Sequence, residues 1–279
     1  LRKSILIVSN IPVTFQERKE GIYLKNVYIY LISKKREREI TKMIKAITFD
    51  CWDTLLDDDA SRNKKRKEYF CLIFKDRGFP VTEDEMNELF SKEAKLFQNH
   101  IIEHKKTQNS RARTETIVKL AGIQIPASEI NKISDYSDQV ALEFRPPVIP
   151  GIKDVLDVLS KIYKLGVICN TGWHSAKTVR QLLEDYDFPK YFSHLTFSDE
   201  AGVAKPHKQI FEYTVEKLGF ETEEAVHIGD SEYSDIVGAK QANMGAILFT
   251  GVNDKYKDNN SADVTINSYD NLVEILEKM

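Results

Sequence analysis

Cysteine is scarce in this chain: three in 279 residues, at Cys51, Cys71 and Cys169, with no CxxC spacing. An odd, scattered set excludes a disulfide framework and fits reduced thiols in a cytoplasmic protein. Long apolar runs are missing as well. No stretch approaches the ~18 consecutive apolar residues that a membrane span requires. Arg2 and Lys3 precede the run SILIV, but that run is too short for a secretory signal and no small-residue cleavage site follows it closely. There is no excess of one charge: 40 Lys and Arg stand against 43 Asp and Glu, a formal net charge of −3. That balance argues against a nucleic-acid-binding scaffold, which needs a basic surplus.

What is present is an ordinary globular composition, 42% apolar and 30% charged, at a length that suits one large domain or two modest ones. Residues 1–42 differ from the rest. They hold two short strand-like runs, SILIV and VYIYLI, and then the charged stretch KKREREITK. Met43 opens MIKAITFD, a natural start for a domain, so 1–42 reads as an N-terminal extension, of which an extra edge hairpin is the alternative.

From residue 45 onward short apolar runs alternate with helical patterns. The runs are KAITF (45–49), LGVIC (165–169), HLTFS (194–198), AVHIG (225–229), AILF (246–249) and DVTI (263–266). Helical segments at 152–162, about 175–185, 207–218, 234–242 and 269–278 separate and follow them. The alternation predicts a parallel sheet with helices on both faces, a Rossmann-like doubly wound α/β core over 43–59 and 147–279. Ligands bind such sheets beyond the carboxyl ends of the strands.

Residues 60–146 break the alternation. Thr82 and Glu85 form a capping-box pattern. Behind it Met86, Phe90, Ala94, Phe97 and Ile101 keep helical spacing, as do Ile130, Ile133, Tyr136, Val140 and Phe144. These stripes predict core contacts in an all-helical insertion. RPPVIPG (145–151) returns the chain to the α/β core, its prolines and glycine fitting a stiff hinge.

Four polar elements fall at predicted strand ends: Asp50; the loop Cys169-Asn170-Thr171-Gly172; Lys205; and Gly229-Asp230, with Asp235 five residues later. Each alone is a common turn feature. Together on one sheet edge they are costly, because clustered aspartates repel one another. A divalent cation and Lys205 would offset that cost.

The chain resembles the haloacid dehalogenase (HAD) superfamily of hydrolases, on ITFDCWDTLL, VICNTGW, GVAKPHKQIF and VHIGDSEYSDIVGAKQAN taken in that order. The resemblance covers roughly residues 44–270 and implies that 60–146 is a helical cap over the active edge. It implies Asp50 as nucleophile, forming an aspartyl-phosphate, and Mg²⁺ held by Asp50, the backbone carbonyl of Trp52 and Asp230, with Asp235 acting on the metal through water or through the residues that hold it. Lys205 would bind a phosphate oxygen and hold Asp50 ionised. Cys169 stands where the family has a hydroxyl residue, leaving Asn170, Thr171 and Gly172 to hold the phosphate. Ser175 is placed to cap the following helix, and His174 reads as a surface histidine.

The sequence departs from the phosphatase pattern DxDxT at one position. Trp52 occupies the place of the second acid, whose general acid/base role contributes roughly 10²–10⁴-fold, and Asp53 falls one residue late. The expected function is a Mg²⁺-dependent phosphatase acting on a small phosphorylated metabolite. A 2-haloacid dehalogenase, a phosphonatase using a cap lysine, and a non-catalytic binding module stay open as alternatives. Retention of both Asp230 and Asp235 favours the metal-dependent phosphatase. The basic runs KKRER (34–38) and RNKKRK (62–67) read as solvated helix faces, the second being placed to steer anions.

Overall fold

A computed structural model describes residues 43–58 and 60–279. The expectations for residues 1–42, including KKRER, lie outside the described residues. Six strands form a single all-parallel sheet: β1 (Ala46–Phe49), β2 (Lys164–Cys169), β3 (His194–Phe197), β4 (Ala225–Gly229), β5 (Gly245–Phe249) and β6 (Val264–Ile266). Their order is β3-β2-β1-β4-β5-β6. All six apolar runs of the sequence became strands. Every residue of β1 and β4 is buried, as expected of parallel strands covered on both faces.

Strand order reverses between β1 and β4, the switch point at which doubly wound sheets place their ligands. Phe49 is in register with Ile228, and the Asp50 amide donates to the Ile228 carbonyl at 2.8 Å. Asp50 and Asp230 therefore leave the sheet at nearly the same level.

Four helices fill the interval after β1: α1 (Ala60–Asp76), α2 (Glu83–His104), α3 (Ser110–Leu120) and α4 (Ala127–Glu143). The Thr82–Glu85 capping box is formed in both directions at the start of α2. Phe70, Phe74, Met86, Leu89, Phe90, Ile117, Val118 and Ile133 make the insertion's own apolar cluster. One position differs from the expected stripe. Ala94 is exposed and Glu93 is buried in its place, because Glu93 has a cationic partner on α3. The return segment pairs with the chain that leaves β1: Asp57 N donates to Pro147 O and Ile149 N to Leu55 O.

The remaining helices are α5 (Ile152–Leu159), α6 (Ala176–Asp185), the single turn α7 (Ser198–Ala201), α8 (Lys208–Leu218), α9 (Val237–Gln241) and α10 (Leu272–Leu276). They flank the sheet and bury its two faces in two clusters. Among the described residues no helix is long and apolar enough to cross a membrane.

Candidate active site

Asp50 follows the last residue of β1 and is only 8% exposed. Asp230 follows β4. Asp235 sits on an i→i+5 turn (Glu232–Ile236) that leads into α9, and it is fully buried. Carboxylate oxygens of Asp50, Asp230 and Asp235 lie within 4.8 Å of one another. Lys205 is buried beside them, with Nζ 2.6 Å from Asp50 Oδ1 and 2.6 Å from Asp235 Oδ1. The structure thus brings together three aspartates and a lysine that are up to 185 residues apart in the chain.

Burial and mutual repulsion set the electrostatics. Burial pushes the Asp50 carboxyl up to about 7 against the pull of Lys205. Burial, then the charges of Asp235 and Asp50, push Asp230 up to about 8. Asp235 is held well below the usual carboxylate range by Lys205 and His227 despite its burial. Those carboxylates in turn raise Lys205 above its ordinary value. One lysine cannot neutralise two buried carboxylates and a half-buried third, and among the described residues Asp230 receives one long hydrogen bond, from Asn253 at 3.5 Å. The Trp52 carbonyl takes no hydrogen bond from the described residues. An under-neutralised cluster of three carboxylates has the chemistry that suits a hard divalent cation. Asp235 already holds Lys205 and His227 on Oδ1 and the Ser231 amide on Oδ2, so it orients its neighbours.

Asn170 works through Lys205. Its amide donates to Lys205 O and accepts from Lys205 N, both at 2.9 Å, which pins the lysine loop. The Thr171 amide donates to Ser198 Oγ at 2.9 Å, and Asp199 N donates to the Thr171 hydroxyl. Thr107, from the α2–α3 connection, joins this group at 2.8 Å from Ser198 Oγ. Cys169 is buried, with its thiol against that of Cys51, which together with burial pushes it well above its ordinary value, and in weak contact with its own loop carbonyl, 3.7 Å from Asn170 O. Gly172 is needed where it stands, since an added Cβ would lie 3.0 Å from Arg113 Nη1 and 3.1 Å from Phe97 Cζ. Ser175 caps α6 as expected, accepting from Thr178 N. The displaced acid, Asp53, takes a left-handed φ of 53° and accepts from the Asp58 amide at 2.8 Å.

Two expectations are corrected. His174 is no surface histidine; it is buried, donating from Nδ1 to Asp138 O at 2.6 Å and accepting at Nε2 from Arg66 at 3.1 Å. Its ring lies against Trp52, centroids 5.4 Å apart. The run RNKKRK is not wholly a solvated face either. Arg62 and Arg66 are buried, because they continue the inward stripe that Phe70 and Phe74 occupy at four-residue spacing.

Several participants escaped the sequence reading. His227 bridges Asp235, at 3.1 Å from Nε2, and Thr48 Oγ1, at 2.8 Å from Nδ1. Its signal was an ionisable residue inside the apolar run AVHIG. Glu93 and Arg113 form a buried bidentate pair at 2.7 Å on each arm; the expected stripe passed over Glu93 in favour of Ala94, and no stripe was drawn through Arg113.

An aspartate at a strand end, a buried lysine and a carboxylate cluster at the switch point of a doubly wound sheet are the arrangement of a hydrolase of the HAD type. The family model for haloacid dehalogenase-like hydrolases matches residues 44–243, and the chain belongs to that family. It is 30% identical over 235 residues to glyceraldehyde 3-phosphate phosphatase of Methanothermobacter thermautotrophicus, covering 80% of this chain and 95% of that one. The enzyme of the same name from Methanocaldococcus jannaschii is 30% identical over 241 residues, covering 85% and 99%. Among solved structures, the HAD-hydrolase YfnB from Bacillus subtilis, bound to magnesium, superposes with a TM-score of 0.64 at 23% identity, covering 84% and 99%.

Proposed function

We propose that this protein is a Mg²⁺-dependent phosphatase that hydrolyses a small phosphate monoester through an aspartyl-phosphate on Asp50. The observation that carries the reading is the surplus of buried carboxylate around a single lysine. A 2-haloacid dehalogenase, acting on a singly charged substrate, needs no cation beside its nucleophile and so has no use for Asp230, whereas a phosphatase must bring a dianionic phosphoryl group against an anionic nucleophile. Two relatives named as phosphatases support the same reading.

Asp50, Asp230 and the Trp52 carbonyl would hold the cation, which supplies charge neutralisation and in-line orientation of the phosphoryl group. Lys205 draws the Asp50 carboxyl towards its ionised form against the effect of burial, which the cation's charge would reinforce, and offers its Nζ to a phosphoryl oxygen. Asp50 attacks phosphorus; the ester P–O bond breaks and an Asp50 O–P bond forms. Water then attacks the phosphorus, phosphate departs and the Asp50 carboxylate returns. The leaving oxygen needs a proton. Trp52 cannot give one, and Asp53 spends an oxygen on its own loop. The enzyme therefore favours leaving groups of low basicity. The four-helix insertion acts as the cap that covers this chemistry and selects the leaving group.

The test is phosphate release from p-nitrophenyl phosphate and a panel of metabolite monoesters, with Mg²⁺ or with EDTA. Turnover with Mg²⁺, its loss in EDTA, and its loss in Asp50→Asn at unchanged circular dichroism are the expected results. Halide release from 2-chloropropionate in EDTA, without phosphatase activity, would overturn the reading.

A further inference from the structure

The inward faces of three insertion helices carry buried charged residues among the apolar ones. On α1 the buried stripe runs from Phe74 and Phe70 to Arg66 and Arg62. On α2 it includes Glu93, and on α3 it includes Arg113. A cavity of about 270 Å³ opens there, lined among others by Trp52, Arg66, Arg113, Thr171, Gly172 and Trp173. It is continuous with the phosphate-binding loop, because Asn170, Thr171 and Gly172 form part of its wall.

The two guanidiniums in this wall are not equivalent. Arg113 is neutralised by Glu93 and clamped between aromatic rings, 4.0 Å from the Phe97 centroid and 4.2 Å from that of Trp173. It spends Nε and Nη2 on Glu93, which leaves Nη1 at Gly172 as a donor with no partner among the described residues. Arg66 is 2% exposed, and its partners are all neutral: Ser137 O, Asn63 Oδ1 and His174 Nε2. No carboxylate among the described residues lies within ion-pair distance of it. Asp58, on the same wall, is committed to Arg62. Burial, then the charge of Arg113, pull Arg66 down to about 9. A buried cation without a counter-charge is expensive to maintain, and here it faces an opening next to the phosphoryl site.

We propose that this cavity is a second anion site: the substrate's leaving group carries its own negative charge, a carboxylate or a second phosphate, received by Arg66 and by Nη1 of Arg113. The inference deepens the phosphatase reading and rests on it for the identity of the first anion. A cavity of this volume takes only a short leaving group. Its aromatic walls hold the two guanidinium planes in place, so little ordering is left to be done when the anion arrives.

The test compares three esters that differ at one end: glycerol 3-phosphate, 3-phosphoglycerate and glycerol 1,3-bisphosphate, each with the full chain and Mg²⁺. The expected result is a kcat/KM higher by about tenfold or more for the carboxylate or the bisphosphate than for the neutral ester, carried mainly by KM. The better of the two identifies the anion. Arg66→Gln should bring that ratio towards one, and Arg66→Lys should restore part of it. Equal rates on all three esters in the wild type would overturn the inference, and that comparison stands even if a variant fails to fold. Absence of p-nitrophenyl phosphate turnover would count against the phosphatase reading instead. Calorimetric titration of Asp50→Asn with the same esters then decides the anion site alone: tighter binding of a charged partner upholds it, and equal or absent binding refutes it.

Discussion

Gly229 has no room for a side chain. A Cβ there would stand 2.4 Å from Asp235 Cγ, and Asp235 is tied on both oxygens. Gly229→Ala should therefore displace Asp235 and, through Lys205, loosen the seat of Asp50. The expected outcome is a loss of about 10–100-fold in divalent-ion affinity, the usual scale for disturbing the partners of metal ligands, read by calorimetric Mg²⁺ or Mn²⁺ titration. A second residue carries a pH effect. Burial, then Arg66, push the His174 imidazole down to about 3, so it is neutral in the fold. In the unfolded chain it takes up a proton near pH 6.5. The unfolded state thus binds more protons below that pH, and stability falls as pH drops from 6.5 towards 3, by about 1.4 kcal/mol per unit at most. His174→Gln should flatten that part of the curve, as measured by urea denaturation at pH 4, 5, 6 and 7.

At the scale of elements, the loop after β2 (170–175) and the helical insertion share one piece of hydrophobic interior. Trp173 leaves the sheet two residues after Thr171 and packs inside the insertion's cluster, stacked on Phe90 at 5.6 Å and edge-on to Phe70. Asp138 of α4 holds the same loop by accepting from Ser175 N and Oγ. On the opposite side Ile101 O and Lys105 O bond His207 and Ala204 of the lysine loop. Trp173→Ala should cost about 3–5 kcal/mol, as for other large core truncations, and should also raise KM by freeing the loop. Chemical denaturation and steady-state kinetics on the same preparation would check both.

At the scale of the whole molecule, a cation that binds only the folded site stabilises the fold by mass action, by about 2.7 kcal/mol at a hundredfold excess over Kd. The melting temperature should rise with Mg²⁺, return to baseline in EDTA, and show little response in Asp230→Asn. The sheet was legible in the sequence because parallel strands buried on both faces read as unbroken apolar runs. The grouping of Asp50 and Asp230 was legible because each follows the last residue of such a run, and Lys205 and Asp235 lie in the segments that come after β3 and β4. The second layer was not. Arg66, Glu93, Arg113 and His227 occupy positions whose spacing spells interior and whose chemistry spells surface. Periodicity alone assigns such residues to neither, since their burial depends on partners brought in from distant segments.

The seating of Trp173 inside the insertion alters what counts as an exchangeable part. A graft that swapped helices 60–143 for those of another family member would leave an indole without a socket and a foreign socket without its plug. The unit that travels intact is those helices together with residues 170–175, so a graft of the insertion has to carry the two segments at once.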